Sequence, residues 1–237
     1  MQALFLRPLT LKTGLYVPRT SMKPDFLTDV AIALASEADA ERAPAMRAYM
    51  RDQFDFMGVG TPERRGACRA LLKGLKGGPL LAYARALWEL PQREYQYVAL
   101  DLLAMHWKEL DTEDIPALLA LVQDKSWWDT VDALAGIIGD VLRHRHDYMD
   151  GCLGDNNFWM RRIALLHQLG WRNKTDEQRL FNYCLALAHE KEFFIQKAIG
   201  WALRDYARHA PDAVRLFTQK EKERLAPISF REANKHL

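Results

Sequence analysis

Aromatic residues recur along this chain at a spacing that few folds accommodate. Tyr95, Trp128, Phe158, Phe194 and Phe230 stand 33, 30, 36 and 36 residues apart, each near the start of a segment with helical periodicity. A small residue follows four positions after Tyr95 and Phe194 (Ala99 and Ala198), and Ala233 comes one residue early after Phe230. A period of about 30–40 residues with two helices per unit marks a solenoid of the HEAT or armadillo sort. The segments are filled with Ala, Leu, Arg, Glu and Gln, all good helix formers. The breaks carry glycine and proline, as at Gly58-Val59-Gly60-Thr61-Pro62, Gly77-Gly78-Pro79, Pro91, Gly170, Pro211 and Pro227. No run of β-branched residues alternates as a strand would. The expected fold is all-α, about a dozen helices stacked into a curved solenoid whose concave face binds a ligand.

Two repeats break the small-residue rule. Asp132 follows Trp128 by four and Arg162 follows Phe158 by four. An acid and a base at matching positions of adjacent repeats face the same side, so they can meet in one groove. Such a pair is also an ordinary inter-repeat salt bridge, and spacing alone does not separate the two readings.

On the helix entered at Phe194, Lys197, Trp201, Arg204 and Arg208 fall within an arc of roughly 60°. Ile195, Ala198, Ile199, Ala202, Leu203 and Tyr206 take the opposite, core side. Cations flanking an indole suit phosphates and sugars, although a solvated charged face has the same pattern. On the helix from Ser126, Trp128, Asp132, Ala135, Gly136 and Gly139 share one side, against a core of Val131, Leu134, Ile137 and Ile138. A strip without large side chains admits a close approach, by a ligand or by a neighbouring helix.

Composition sets the remaining bounds. With 237 residues, 49% of them hydrophobic, the chain buries a core without staples and is not disordered. No stretch of 18 apolar residues is present to cross a membrane. Cys68, Cys152 and Cys184 are odd in number and form no CxxC, so they read as small buried hydrophobes of a reducing, cytoplasmic compartment. His144 and His146 lie in a charged run without HExxH spacing, so no metal or other cofactor is expected. The net charge is +2, and residues 1–24 carry four basic and no acidic groups, which leaves −2 for 25–237. A polyanion would therefore need a local basic patch. Residues 1–21 lack helical period and read as a disordered leader or a mis-called start before Met22. They should be dispensable, and 22–237 should form one domain.

The longer strings resemble the DNA alkylation repair family of HEAT-like-repeat DNA glycosylases, the AlkD type. The similar segments are RAYM (47–50), TPERR (61–65), LWELPQREY (87–95), KSWWDTVD (125–132), DNNFWMRR (155–162), KEFFIQKAIGWALR (191–204) and LAPISFREANKH (225–236). Coverage runs from about residue 25 to the end. The resemblance implies a C-shaped helical stack that grips duplex DNA and excises cationic N3- and N7-alkylated purines. It implies that Trp128 and Trp201 hold the deoxyribose backbone at the lesion, that Asp132 is the catalytic carboxylate, and that Arg162 helps position the backbone. Tyr49 and Thr61 are implied to touch DNA. The matching segments add Arg65, Lys125, Trp127 and Arg161 to the DNA-contact candidates, beside Lys197 and Arg204. Two departures stand out: 1–21 has no counterpart, and Gly60 stands where a larger polar residue is expected before Thr61.

An alkylated purine leaves as a neutral base, so a single carboxylate suffices where a glycoside hydrolase uses two. The expected protein is thus a monomeric, monofunctional glycosylase of the bacterial cytoplasm, nucleoid-associated when on DNA. A non-catalytic HEAT-repeat protein that binds damaged or branched DNA is the alternative. A protein-binding scaffold fits the Lys197/Trp201/Arg204 stripe less well, and no lysine presents itself as a β-lyase nucleophile.

Overall fold

The computed structural model describes residues 22–237. The leader read at 1–21 lies outside the described residues. Thirteen α-helices and no strand occur among those described, and the chain is a helical solenoid. Two helices precede the regular pairing, α1 (Phe26–Ala35) and α2 (Ala43–Tyr49), followed by α3 (Thr61–Lys73). The pairs are then α4 (Leu80–Glu89) with α5 (Arg93–His106), α6 (Ile115–Val122) with α7 (Trp128–Leu142), and α8 (Met149–Leu153) with α9 (Phe158–Leu166). They continue as α10 (Glu177–Leu187) with α11 (Phe193–Ala207), and α12 (Pro211–Lys220) with α13 (Pro227–Ala233). The second helices pack in sequence, α3 on α5, α5 on α7, α7 on α9, α9 on α11 and α11 on α13. That row carries Asp132, Arg162 and Trp201.

Local signals explain the starts. Proline occupies the first turn of α2, α3, α6, α12 and α13, where its missing N–H costs nothing. Asn157, Asp176 and Glu192 cap α9, α10 and α11 by accepting from the amides of Trp159, Arg179 and Phe194. Thr61 is the first helical residue of α3 rather than its cap; Gly60 takes the cap position. The recurring aromatics lie at or within a few residues of the helix starts. The alanines that follow them, Ala99, Ala198 and Ala233, are fully buried between repeats. The apolar faces of these helices, α2 excepted, join one hydrophobic cluster from Phe26 to Ala233. Cys68, Cys152 and Cys184 are buried in it as free thiols.

The helical-wheel reading of α7 leaves two occupants open for its small-residue strip, and the neighbouring chain takes part of it. Its core residues are buried as expected, but the small-residue strip is not a uniform approach for a ligand. Ala135 and Gly139 are buried, and a Cβ at Gly139 would stand 2.0 Å from the His167 carbonyl oxygen. The chain at the end of α9 fills that part of the strip. Only Gly136 has open space beside it.

Candidate active site

Trp128 opens α7, and one turn on stands Asp132. Phe158 opens α9, and one turn on stands Arg162. Because α7 and α9 are neighbours in the row, these positions meet. Arg162 Nε donates to Asp132 Oδ1 at 2.7 Å and Nη2 donates to Oδ2 at 2.8 Å. Arg162 Nη1 also donates to the Phe194 carbonyl at the start of α11. The guanidinium thus ties three successive repeats together. It faces the Trp201 ring at 5.3 Å and the Phe194 ring at 5.9 Å.

Arg162 lines a cavity of about 300 Å³ together with Tyr49, Arg51, Trp127, Trp128, Phe193, Phe194, Lys197 and Trp201. Six of these nine side chains are aromatic. Tyr49 is 70% exposed and meets Trp128 edge-on at 5.8 Å, so α2 contributes the rim opposite α11. Asp132 sits behind Arg162 rather than on the lining, with 22% of its side chain exposed. Burial pushes its carboxyl above the ordinary aspartate value, while the hydrogen bonds and charge of Arg162 pull the other way. Asp129 adds a smaller upward push.

The sequence-derived contact residues fall into distinct surroundings. Trp127 caps the start of α7 and packs against Trp159 and Phe194 at 5.9 and 5.3 Å, its Nε1 buried without a partner. Thr61 is exposed at the start of α3, and exposed Arg65 pairs with Asp101 at 3.0 Å. Arg161 points to Glu190 and to the carbonyls of Asp155 and Asn156. Lys125 donates to the carbonyls of Trp88 and Leu90, both at 2.7 Å, and so closes the end of α4. Burial lowers its ammonium pKa. Neither Arg161 nor Lys125 offers a free cation to a ligand in this structure.

The stripe on α11 differs from the simple solvated face. Lys197 Nζ donates to Glu232 Oε1 at 2.6 Å, and Arg204 Nη1 donates to Oε2 of the same carboxylate at 2.5 Å. The Lys197 hydrogen bond, with smaller pulls from Arg204 and Lys235, holds the Glu232 carboxyl below its ordinary value. Gly200 makes this possible: a Cβ there would stand 2.5 Å from the Glu232 Cβ, so only glycine lets α13 come so near α11. Two cations share one carboxylate, leaving a single net positive charge beside Trp201. Arg208 is exposed beyond them. At Gly60, a Cβ would meet the ends of the Glu63 and Arg42 side chains, at 2.3 and 2.9 Å. A larger residue there must displace the Arg42–Glu63 pair.

Sequence reasoning missed Arg51, Phe193, Phe194 and Glu232. Phe193 and Phe194 open α11 inside the KEFF string, where an aromatic start was already the rule. Arg51 lies two residues after Tyr49, in a turn without helical period.

The profile of a family described as DNA alkylation repair enzyme matches residues 30–237. Among solved structures, the chain is similar to a predicted DNA alkylation repair enzyme from Enterococcus faecalis, with 36% identity and a TM-score of 0.79. That match covers 85% of this chain and 97% of the other. It is similar in fold to smu.31 from Streptococcus mutans UA159, at 16% identity and a TM-score of 0.58 over 90% of this chain and 99% of that one. A search of curated proteins found no match.

Proposed function

The chain belongs to the DNA alkylation repair enzyme family, and on that premise we propose that it is a monofunctional DNA glycosylase. Its substrates are cationic alkylated purines in duplex DNA, of the 3-methyladenine and 7-methylguanine type. The observation that carries this reading is the Asp132–Arg162 pair, whose arginine lines an aromatic cavity walled by Trp128 and Trp201 with Asp132 directly behind it.

The chemistry needs little more. Alkylation at N3 or N7 puts a positive charge on the purine, and the base departs neutral as the C1′–N bond breaks. The charge passes to the sugar ring. Asp132, fixed by two hydrogen bonds, presents negative charge that need not reorganise during the reaction. It can also accept a proton from the attacking water. Trp128 and Trp201 exclude solvent, which strengthens that electrostatic effect. Tyr49 and Thr61 stand exposed on the α2–α3 side for backbone contact. Selectivity then follows from lesion lability, because no second acid stands ready to protonate a neutral leaving base.

One feature favours a second reading, a DNA-binding solenoid without catalysis: Arg162 already engages both Asp132 oxygens. Incubation with duplex DNA containing 7-methylguanine, followed by assay for free base, separates the two. Base release by the wild type and not by Asp132→Asn supports the glycosylase; tight binding with no release supports the binder.

A further inference from the structure

We infer that Arg51 is the phosphate-binding cation of this cavity, gripping the phosphodiester next to the sugar that Trp128 and Trp201 enclose. The inference takes its ligand, DNA, from the reading above, but rests on its own observation. Three cations line the cavity: Arg51, Arg162 and Lys197. Arg162 is neutralised by Asp132, and Lys197 shares Glu232 with Arg204. Arg51, among the described residues, has no carboxylate within 4.0 Å and its exposed side chain makes no hydrogen bond. It therefore brings a wholly unpaired cation to the cavity mouth, beside the one net charge that Lys197 and Arg204 retain after sharing Glu232.

Its placement is built by the turn that ends α2. Arg51 and Asp52 both adopt left-handed backbone, with φ of 54° and 58°. For residues with a Cβ this backbone is strained and persists only where the surroundings enforce it. Here the Arg51 amide donates to the Ala48 carbonyl at 2.9 Å and the Asp52 amide donates to the Arg47 carbonyl at 3.0 Å. Arg47 Nε closes the turn on Asp52 Oδ1 at 3.2 Å. The turn sets Arg51 on the rim with Tyr49, across from α11. A guanidinium beside an enclosed sugar matches the fork geometry of a phosphate. Removing a partnered cation should weaken binding less, because a carboxylate already offsets part of its charge.

The test is equilibrium binding to duplexes carrying a tetrahydrofuran abasic analogue, as a function of salt. Arg51→Gln keeps the length of the stem and removes the charge. The log–log salt slope should fall by about 0.9, and Arg51→Lys should restore it. Arg204→Gln should change it by less than half as much. A second arm replaces single phosphates flanking the analogue with neutral methylphosphonates. One such position should weaken the wild type and leave Arg51→Gln unaffected. An unchanged slope in Arg51→Gln, or equal phosphonate sensitivity in both proteins, overturns the inference, as does failure of the wild type to bind DNA. Equal loss in Gln and Lys variants without a slope change assigns Arg51 to base stacking and also overturns it. The activity reading fails separately: slope loss in Arg51→Gln with no base release by the wild type leaves this inference standing and removes the glycosylase.

Discussion

Two arginine–aspartate pairs sit one repeat apart in the same row of helices, and they are not equivalent. In the first, Arg93 Nη2 donates to Asp129 Oδ1 at 2.7 Å and Nε donates to Oδ2 at 2.9 Å. Tyr97 Oη adds a third hydrogen bond to Oδ2 at 2.7 Å. The guanidinium also reaches the Lys125 carbonyl and Thr130 Oγ1, and stacks on Phe54 at 3.7 Å. Arg93 is fully buried and Asp129 is 6% exposed. In the second, Asp132 has the same two bonds from Arg162, no third donor, and 22% of its side chain open. Identical charges therefore serve different ends. A saturated pair locks α5 to the start of α7, whereas a pair with an open edge retains lone pairs, which the proposed reaction would use on the sugar or water. The first ties α5 to the first turn of α7, and the second is the one the proposed chemistry draws on.

The largest effect expected from breaking this comparison is on stability. Arg93→Met leaves Asp129 buried without its counter-ion and should cost about 3–5 kcal/mol, read as a lower urea midpoint at unchanged slope. Arg162→Met should cost less than half as much, because the Asp132 side chain is already 22% exposed. Equal losses would mean that the two pairs are alike and that the open edge has no special standing.

Next in size is the effect on rate. Asp132→Asn keeps the shape and removes the charge, so excision of 7-methylguanine should fall by at least about 10². The DNA dissociation constant should move by less than threefold, since Arg51 and the α11 cations are untouched. Wild-type protein should leave uracil in place. Full activity in Asp132→Asn, or release of uracil by the wild type, would transfer the chemistry to another group.

Much of this was legible in the sequence, for a physical reason. Solenoid repeats contact only their neighbours, so the spacing of Trp128, Phe158 and Phe194 fixes which positions stack, and Asp132 meets Arg162 as that spacing requires. The same rule holds unused information. Arg64 and Asp101, Arg93 and Asp129, and Lys197 and Glu232 are all opposite charges 35 to 37 residues apart, and all are paired. Applied to charges as well as aromatics, it finds Glu232 and shows that the α11 stripe is half neutralised. A helical wheel assigns Gly139 to a side of α7, but what fills that side comes from α9. Arg51 was hidden for another reason: its place depends on two left-handed residues, which no periodicity signals.

A smaller effect concerns pH. The proposed step needs Asp132 ionised, and burial raises its carboxyl while Arg162 opposes the rise. Single-turnover excision, corrected for spontaneous depurination, should fall about tenfold per pH unit below that raised value. Arg162→Lys loses the fork that favours the carboxylate, so its acid limb should move to higher pH. A limb that stays in place, or moves lower, would show that Asp132 is not the titrating group.

The smallest effect tests the third hydrogen bond, which Asp129 has and Asp132 lacks. Tyr97→Phe removes the Oη donor and leaves the Arg93 fork on Asp129. Desolvation and the adjacent Asp129 charge push the Tyr97 phenol well above its ordinary pKa, so it is a neutral donor throughout the working range. A hydrogen bond to a buried charge contributes about 1.5–3 kcal/mol, and the ring that packs beside Arg64 and Arg93 remains. The loss should thus lie near the lower end, about 1.5 kcal/mol, below the cost of Arg93→Met. Excision by the folded protein should stay within twofold of wild type, because Asp132 and its cavity are unchanged. If Tyr97→Phe instead slows excision tenfold with its stability intact, the saturated pair reaches the chemistry through Trp128, and the division between the two pairs is wrong.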